Sequence, residues 1–124
     1  MKVDISLGEL VDKVTILSIK LKKVQSAEKL VNIQKEYDIL HKCMIRAEIS
    51  ESSDEYGELT KINQKLWDIE DEIRRKEAAK QFDDAFVALA RSVYLTNDER
   101  AAVKRRINIR YGSELIEEKE YVSY

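Results

Sequence analysis

Residues 6–24, SLGELVDKVTILSIKLKKV, contain the pattern that decides the fold class of this chain. Apolar side chains recur at every third or fourth position from Leu7 to Val24, which is the spacing of one face of an α-helix. Ser6 and Glu9 form a capping box at the start of this pattern, because the serine hydroxyl can accept from a first-turn amide while the carboxylate reaches back. The segment is therefore predicted to be an amphipathic helix.

Two longer stretches follow in which apolar residues step alternately by three and by four positions, as in the seam of a coiled coil. The first seam consists of Leu30, Ile33, Tyr37, Leu40, Met44 and Ala47, and the second consists of Leu59, Ile62, Leu66, Ile69 and Ile73. The polar residues 50–54, SESSD, separate the two seams and are typical of a turn. Two long helices joined by a short polar loop predict an antiparallel helical hairpin.

The C-terminal part of the sequence predicts two shorter helices. The first of them ends near Tyr94, and Thr96 with Glu99 forms a capping box that would open the second. Gly112 stands where a residue in the left-handed conformation would end that helix. Residues 113–124 are acidic and are expected to form a tail that frays or packs on a neighbour.

The expected fold class is all-α, with a long antiparallel helical hairpin and with an N-terminal helix and two shorter C-terminal helices packed on it. The chain has 124 residues, no proline and only three glycines, so residues 1–124 are expected to form a single helical domain. The lone Cys43 cannot close an intramolecular disulfide, which is typical of a cytoplasmic protein.

The charges and the hydropathy of the chain argue against nucleic acid and membranes as partners. The 22 basic and 24 acidic side chains nearly balance, so the whole molecule offers no electrostatic reason to bind nucleic acid. No uncharged run approaches the roughly 20 residues that span a bilayer, and the N-terminal residues do not resemble a signal peptide. Neither nucleic acid nor a membrane is therefore expected as a partner.

Five cations lie on the last predicted helix, and no acidic residue interrupts the stretch between Arg100 and Ser113. The five are Arg100, Lys104, Arg105, Arg106 and Arg110. One interpretation is an anion site, because the arginine fork matches phosphate or carboxylate bidentately. The other is a solvated helix face whose arginines pair with acidic residues of the hairpin. The sequence alone leaves both interpretations open.

An acidic cluster follows Trp67 and is a candidate magnesium site, because helical carboxylates can hold Mg²⁺. The cluster consists of Asp68, Glu70, Asp71 and Glu72. All-helical nucleoside triphosphate pyrophosphatases use a Glu-Glu-x-x-Glu pattern, but Arg74 stands here where that pattern has its last acid. Ion pairs at the i,i+4 spacing are predicted instead for Glu70 with Arg74, Asp71 with Arg75 and Glu72 with Lys76.

His41 and Cys43 are the only residues of their types in the chain. Two positions apart on a helix, they point in nearly opposite directions, so they predict neither a shared metal site nor a nucleophile–base pair. No phosphate-binding glycine loop, zinc spacing or serine-hydrolase elbow is present. No metal or other cofactor is therefore expected.

Three blocks of the sequence together resemble one family. They are residues 6–20, SLGELVDKVTILSIK, residues 66–77, LWDIEDEIRRKE, and residues 89–108, LARSVYLTNDERAAVKRRIN. The chain resembles a family of short bacterial and phage helical proteins that is catalogued as a domain of unknown function. Members of that family often accompany genes for surface-polysaccharide synthesis, so the resemblance implies a sugar-nucleotide or another phosphate-bearing ligand by association.

The leading hypothesis is a non-catalytic helical module, a homo-oligomer, that binds an anionic small molecule. The candidate ligand-binding residues are Tyr94, Asn97, Arg100, Lys104, Arg106 and Asn108. In this hypothesis Tyr94 stacks on a ring, Asn97 supplies amide hydrogen bonds, and the cationic side chains hold phosphate. Two alternatives stay open: an interaction scaffold that pairs through its helical seams, and an enzyme of nucleotide or sugar-nucleotide metabolism.

Overall fold

A computed structural model describes all residues from 1 to 124 and shows four α-helices and no β-strand. The helices are α1 (Leu7–Lys23), α2 (Ala27–Arg46), α3 (Asp54–Ala78) and α4 (Asp84–Arg110). The predicted all-α class is confirmed. None of the four helices combines the length and the apolar character that crossing a membrane requires.

Each helix begins at a residue whose side chain caps it. Ser6, Ser26, Ser53 and Asp83 each accept a hydrogen bond from the backbone N–H three residues further on. Such caps satisfy one of the amides that a helix leaves without a partner, and each contributes about 1 kcal/mol. The predicted start of the first helix after Ser6 is confirmed by the bond from the Glu9 N–H to the Ser6 hydroxyl at 3.1 Å.

Helix α1 lies at the centre of the molecule, because it packs against each of the other three helices. Val11 and Val14 on α1 are completely buried and belong to one apolar core. The eight buried residues of this core are Leu10, Val11, Val14, Met44, Ile49, Leu59, Val103 and Ile107. Burial of each such side chain stabilises the fold by about 1.5–3 kcal/mol, and α1 supplies three of the eight.

The pairing of the helices differs from the predicted hairpin. Helix α2 packs on α1, and α3 packs on α1 and α4, whereas α2 and α3 do not lie against each other. Met44 is the only buried residue within α2. A seam with three–four spacing fits any apolar helix face, and α1 presents apolar residues on several sides, so both seams pack on α1 instead of on each other.

The two shorter C-terminal helices of the prediction are one continuous helix, α4. Thr96 does not cap a new helix, because it lies in the interior of α4 and is 1% exposed. No proline or glycine occurs between Asp84 and Arg110, so nothing forces the backbone to leave the helical conformation. The capping signal at Thr96 was wrong because a threonine suits a buried helical position as well as a cap.

The end of α4 is the one that the sequence predicts. Gly112 has a φ of 65°, the left-handed conformation that glycine adopts without a steric penalty. The backbone N–H of Ser113 donates to the Asn108 carbonyl at 2.8 Å, which is the long hydrogen bond of a Schellman motif. Glycine at this position turns the chain back along α4.

Helices α1 and α4 approach each other closely at Gly8. Its backbone N–H donates to the Asn108 Oδ1 atom at 2.6 Å, and a Cβ atom there would collide with the carbonyl oxygen of Lys104. Glycine is therefore required where α1 crosses α4. Gly57 on α3 has open space around its missing Cβ.

Replacement of Gly8 by alanine is expected to lower the free energy of unfolding by about 1–3 kcal/mol, because the added methyl group must push α4 away. Gly57→Ala is the matched control and should raise it by about 0.5–1 kcal/mol, since alanine is the better helix former. Urea unfolding followed by circular dichroism measures both. Equal effects of the two substitutions would contradict the close packing of α1 on α4.

Candidate functional site

A buried carboxylate joins three of the helices. Asp12 on α1 is completely buried, and its Oδ1 atom accepts from Asn63 Nδ2 on α3 and from Arg100 Nε on α4, both at 2.9 Å. The Arg100 Nη2 group donates to the other carboxylate oxygen, so the ion pair is bidentate. Asn63 also donates to the Thr15 hydroxyl at 2.8 Å. No fully buried side-chain nitrogen or oxygen of this network lacks a hydrogen-bond partner.

The hydrogen bonds to Asp12 raise the pKa of the Arg100 guanidinium above its ordinary value. The side chain of Arg100 is 28% exposed, so one edge of the guanidinium contacts Asp12 while another faces solvent. An arginine held in this way has little rotamer freedom left to lose when it binds an anion.

Arg100 and Asn63 border a groove between α1, α3 and α4, here called the central groove, with a volume of about 520 Å³. Its apolar residues are Ile16, Ile19, Leu66, Trp67 and Val93, and its polar residues are Asn63, Glu70, Asp71, Arg74, Asn97 and Arg100. The volume falls within the range of small-molecule sites, and the apolar floor with a few polar groups is typical of them.

The polar side chains of the central groove keep donors and acceptors free. Arg74 Nε lies 3.6 Å from Glu70 Oε2, and the Arg74 side chain is 80% exposed, so its guanidinium is not held by this pair. Asn97 makes no side-chain hydrogen bond within the chain, and Asp71 makes no ion pair. The groove therefore offers cationic donors, an amide and carboxylate acceptors to a bound molecule.

Four further cations of α4 bind carboxylates of the same chain. Lys104 Nζ lies 2.7 Å from Glu9 Oε2 on α1, and Arg110 donates to both oxygens of Glu55 on α3, at 2.8 and 2.6 Å. Arg106 pairs with Glu58 and Arg105 with Glu118. The hydrogen bonds from Arg110 hold the pKa of the Glu55 carboxyl below its ordinary value. These cations hold helices and the C-terminal segment together.

A second cavity lies between α4 and the C-terminal segment, residues 113–124, and has a volume of about 530 Å³. Glu117 accepts from the Ser6 hydroxyl at 2.9 Å and lies 3.6 Å from Lys104 Nζ, while Lys119 donates to Asp98 at 2.9 Å. The acidic segment therefore packs along α4, and its carboxylates lie where an anionic ligand of this helix would bind.

Four of the six residues that the sequence predicts as a site line one cavity, the cavity under the C-terminal segment. Asn97 and Arg100 line both cavities, whereas Lys104 and Asn108 line only the cavity under the C-terminal segment. Tyr94 and Arg106 line neither cavity: the Tyr94 ring packs edge-on against the Tyr124 ring, and Arg106 contacts Glu58.

The acidic cluster after Trp67 forms only part of the predicted ladder of ion pairs. Glu70 pairs with Arg74 as expected, but Glu72 pairs with Arg75 and Lys76 pairs with Asp83. No group of three or more histidine, cysteine, aspartate or glutamate side chains is placed to hold a metal ion.

The six site residues predicted from the sequence include none from α1 or α3, although both helices line the central groove. Trp67 and Arg74 could have been found from the sequence, since Trp67 is the only tryptophan and both residues lie in one of the three blocks that resemble the family. Asn63 lies outside the three blocks and could not have been identified as a groove residue, because an isolated asparagine within an apolar seam also fits a solvent-facing position.

A family model matches the chain over residues 1–124 and describes a family of unknown function, DUF6165. The chain belongs to DUF6165. No curated protein and no solved structure is significantly similar to it. The match confirms membership of an uncharacterised family and covers all four helices of this DUF6165 chain.

Replacement of Arg100 by glutamine is expected to lower the free energy of unfolding by about 3–5 kcal/mol, because Asp12 would remain as a buried charge without its counter-ion. Arg105→Gln is the matched control: it breaks an exposed pair and should cost less than about 1 kcal/mol. Chemical denaturation at neutral pH measures both. A cost for Arg100→Gln as small as that of the control would mean that the Asp12 ion pair does not hold the helices.

Proposed function

We propose that this protein is a non-catalytic module that binds a small molecule carrying a ring and an anionic group in the central groove. The observation that carries the proposal is the placement of Trp67 in one groove with Arg74, Asn97 and Arg100. An aromatic face, an amide and two guanidinium groups together match a sugar-nucleotide-like ligand.

The ring of the ligand fits the apolar part of the groove. Trp67 supplies the largest aromatic surface, and Leu66 and Val93 lie with it along the same groove. An aromatic side chain binds a flat base or the apolar face of a sugar by stacking, and the gain is about 0.5–1.5 kcal/mol beyond the area buried.

The anionic group fits the polar part of the groove. Arg100 is held by Asp12 and is partly exposed, and Arg74 is nearly free, so both can present N–H donors to a phosphate. Glu70 and Asp71 supply acceptors that suit hydroxyl groups, which both donate and accept. A ligand with hydroxyls and one phosphate uses this mixture better than a bare anion does.

Trp67 makes this proposal testable by fluorescence, because it is the only tryptophan in the chain. Titration with a uridine diphosphate sugar, with uridine monophosphate and with a hexose 1-phosphate is expected to change Trp67 emission for at least one of them. Uridine and the free hexose, which lack phosphate, should bind at least tenfold more weakly, since a charge-assisted hydrogen bond contributes about 1.5–3 kcal/mol.

The matched variants for this titration are Arg74→Gln and Arg75→Gln. Arg74 lines the groove, whereas the adjacent Arg75 is exposed and pairs with Glu72 outside it. Arg74→Gln should weaken binding at least tenfold, and Arg75→Gln should leave it unchanged. No change of emission with any of the phosphate compounds, or equal weakening by both variants, would refute the proposed site.

We also propose that the chain forms a homo-oligomer. Its accessible surface is 8759 Å², about a quarter more than the roughly 6,900 Å² of a compact monomer of this mass. A stable dimer interface needs only about 800 Å² from each partner. The turn between α3 and α4 and the first turn of α4 contribute exposed apolar side chains, with Phe82 57% and Val87 53% exposed, and are the proposed contact between copies.

Sedimentation equilibrium at micromolar concentration is expected to give a mass of at least twice 14.5 kDa. Val87→Lys should shift the equilibrium to the monomer, because a charge in an apolar interface loses its hydration. Val31→Lys on α2 introduces the same change at another exposed valine and should not. A wild-type chain that sediments only as a monomer would refute self-association.

A further inference from the structure

A third groove, between α1 and α3, is lined by three lysines and is here called the lysine groove. Lys22 comes from α1, and Lys61 and Lys65 come from α3, where they lie one helical turn apart. The groove has a volume of about 530 Å³. Its other polar residues include the Ser18 and Thr60 hydroxyls.

The lysine groove differs from the two cavities described above because its cations have no carboxylate partner. Arg74 and Arg100 in the central groove, and Lys104, Arg105 and Lys119 under the C-terminal segment, each have a carboxylate within 4 Å. None of the three ammonium groups of the lysine groove has one. The chain thus places a carboxylate within 4 Å of each of those cations and within 4 Å of none of these three.

The only acid in the lysine groove offsets one of its three positive charges. Asp68 lines the groove, and its Oδ1 atom accepts from Gln64 Nε2 at 3.1 Å. One hydrogen of the Gln64 amide is engaged in that bond, and the other is free to donate. Three positive charges therefore face one negative charge that already has a donor.

We propose that the lysine groove binds a phosphoryl or pyrophosphoryl group of a small molecule. Lysine is a compact charge with three rotatable donors, which suits a tetrahedral oxyanion that is approached from several sides. A carboxylate is better matched by the planar fork of arginine, and this groove contains no arginine. The three lysines repel one another in the free protein. A bound anion offsets this repulsion, which adds to the free energy gained on binding.

A small anion fits this groove better than a nucleic acid does. The whole chain has a net charge of −2, so it lacks the extended positive surface that tracks a phosphate backbone. None of the three lysines lines the central groove. The inference is therefore independent of the proposed ring-binding function, and each can fail without the other.

The test uses the full chain at low ionic strength with inorganic pyrophosphate, inorganic phosphate and malonate as probes. Pyrophosphate is expected to raise the melting temperature, and phosphate is expected to raise it less. Malonate, whose charge is close to that of phosphate, should have little effect. In two-dimensional NMR spectra, the amide signals of residues 18–22 and 60–65 should move most on titration with pyrophosphate.

The decisive variants carry the same charge change at two places. Lys61→Gln with Lys65→Gln should weaken pyrophosphate binding at least tenfold, and both lysines are exposed, so the fold should survive. Lys35→Gln with Lys42→Gln, on the exposed surface of α2, is the control and should leave binding unchanged. Equal weakening by both pairs, or the absence of amide shifts at residues 60–65, would show unspecific charge attraction and would overturn the proposal.

Discussion

The structure depends on the burial of one negative charge, the carboxylate of Asp12. A carboxylate without water loses several kcal/mol of solvation, and only close cationic and amide donors offset that loss. Asn63 and Arg100 supply those donors from α3 and α4. The carboxylate can be satisfied only when the three helices meet at one depth and one rotation, so it fixes the walls of the central groove together with the core.

The position of α1 explains why two halves of the molecule differ in character. The side of α1 that faces α3 and α4 contains the buried polar network, and it borders the central groove and the lysine groove. The other side packs α2, which has α1 as its only helical neighbour and a single buried residue, Met44. Helix α2 is therefore expected to open at a lower free energy than the other helices, as hydrogen exchange would report.

Much of the secondary structure could be predicted from the sequence, because periodicity and caps are local. The start of α1 after Ser6 and the left-handed Gly112 follow from residues within one helical turn. The pairing of helices could not be predicted, since the seam of α2 fits α1 as well as it fits α3. The continuity of α4 through Thr96 was hidden for a similar reason: a polar side chain at a core position looks like a cap until its surroundings are known.

The site was harder to predict than the fold because charge is not a local property. The sequence shows the cations of α4, but it does not show which carboxylates lie near them in the fold. Lys104 and Arg106 therefore looked unpaired, although Glu9 and Glu58 bind them. Asn97 and Arg100 do border grooves. Trp67 and Asn63 become part of a groove only through the packing of α3 on α1 and α4.

The bidentate pair of Asp12 and Arg100 also constrains how this sequence can evolve. Loss of either partner alone leaves the other charged and without its counter-ion, whereas loss of both, with apolar residues of similar volume in their place, can be nearly neutral. A single substitution is thus a barrier that a lineage crosses only through a compensating change. Natural DUF6165 sequences that lack an acid at position 12 are therefore expected to lack the arginine at position 100, and Asn63 should drift with them.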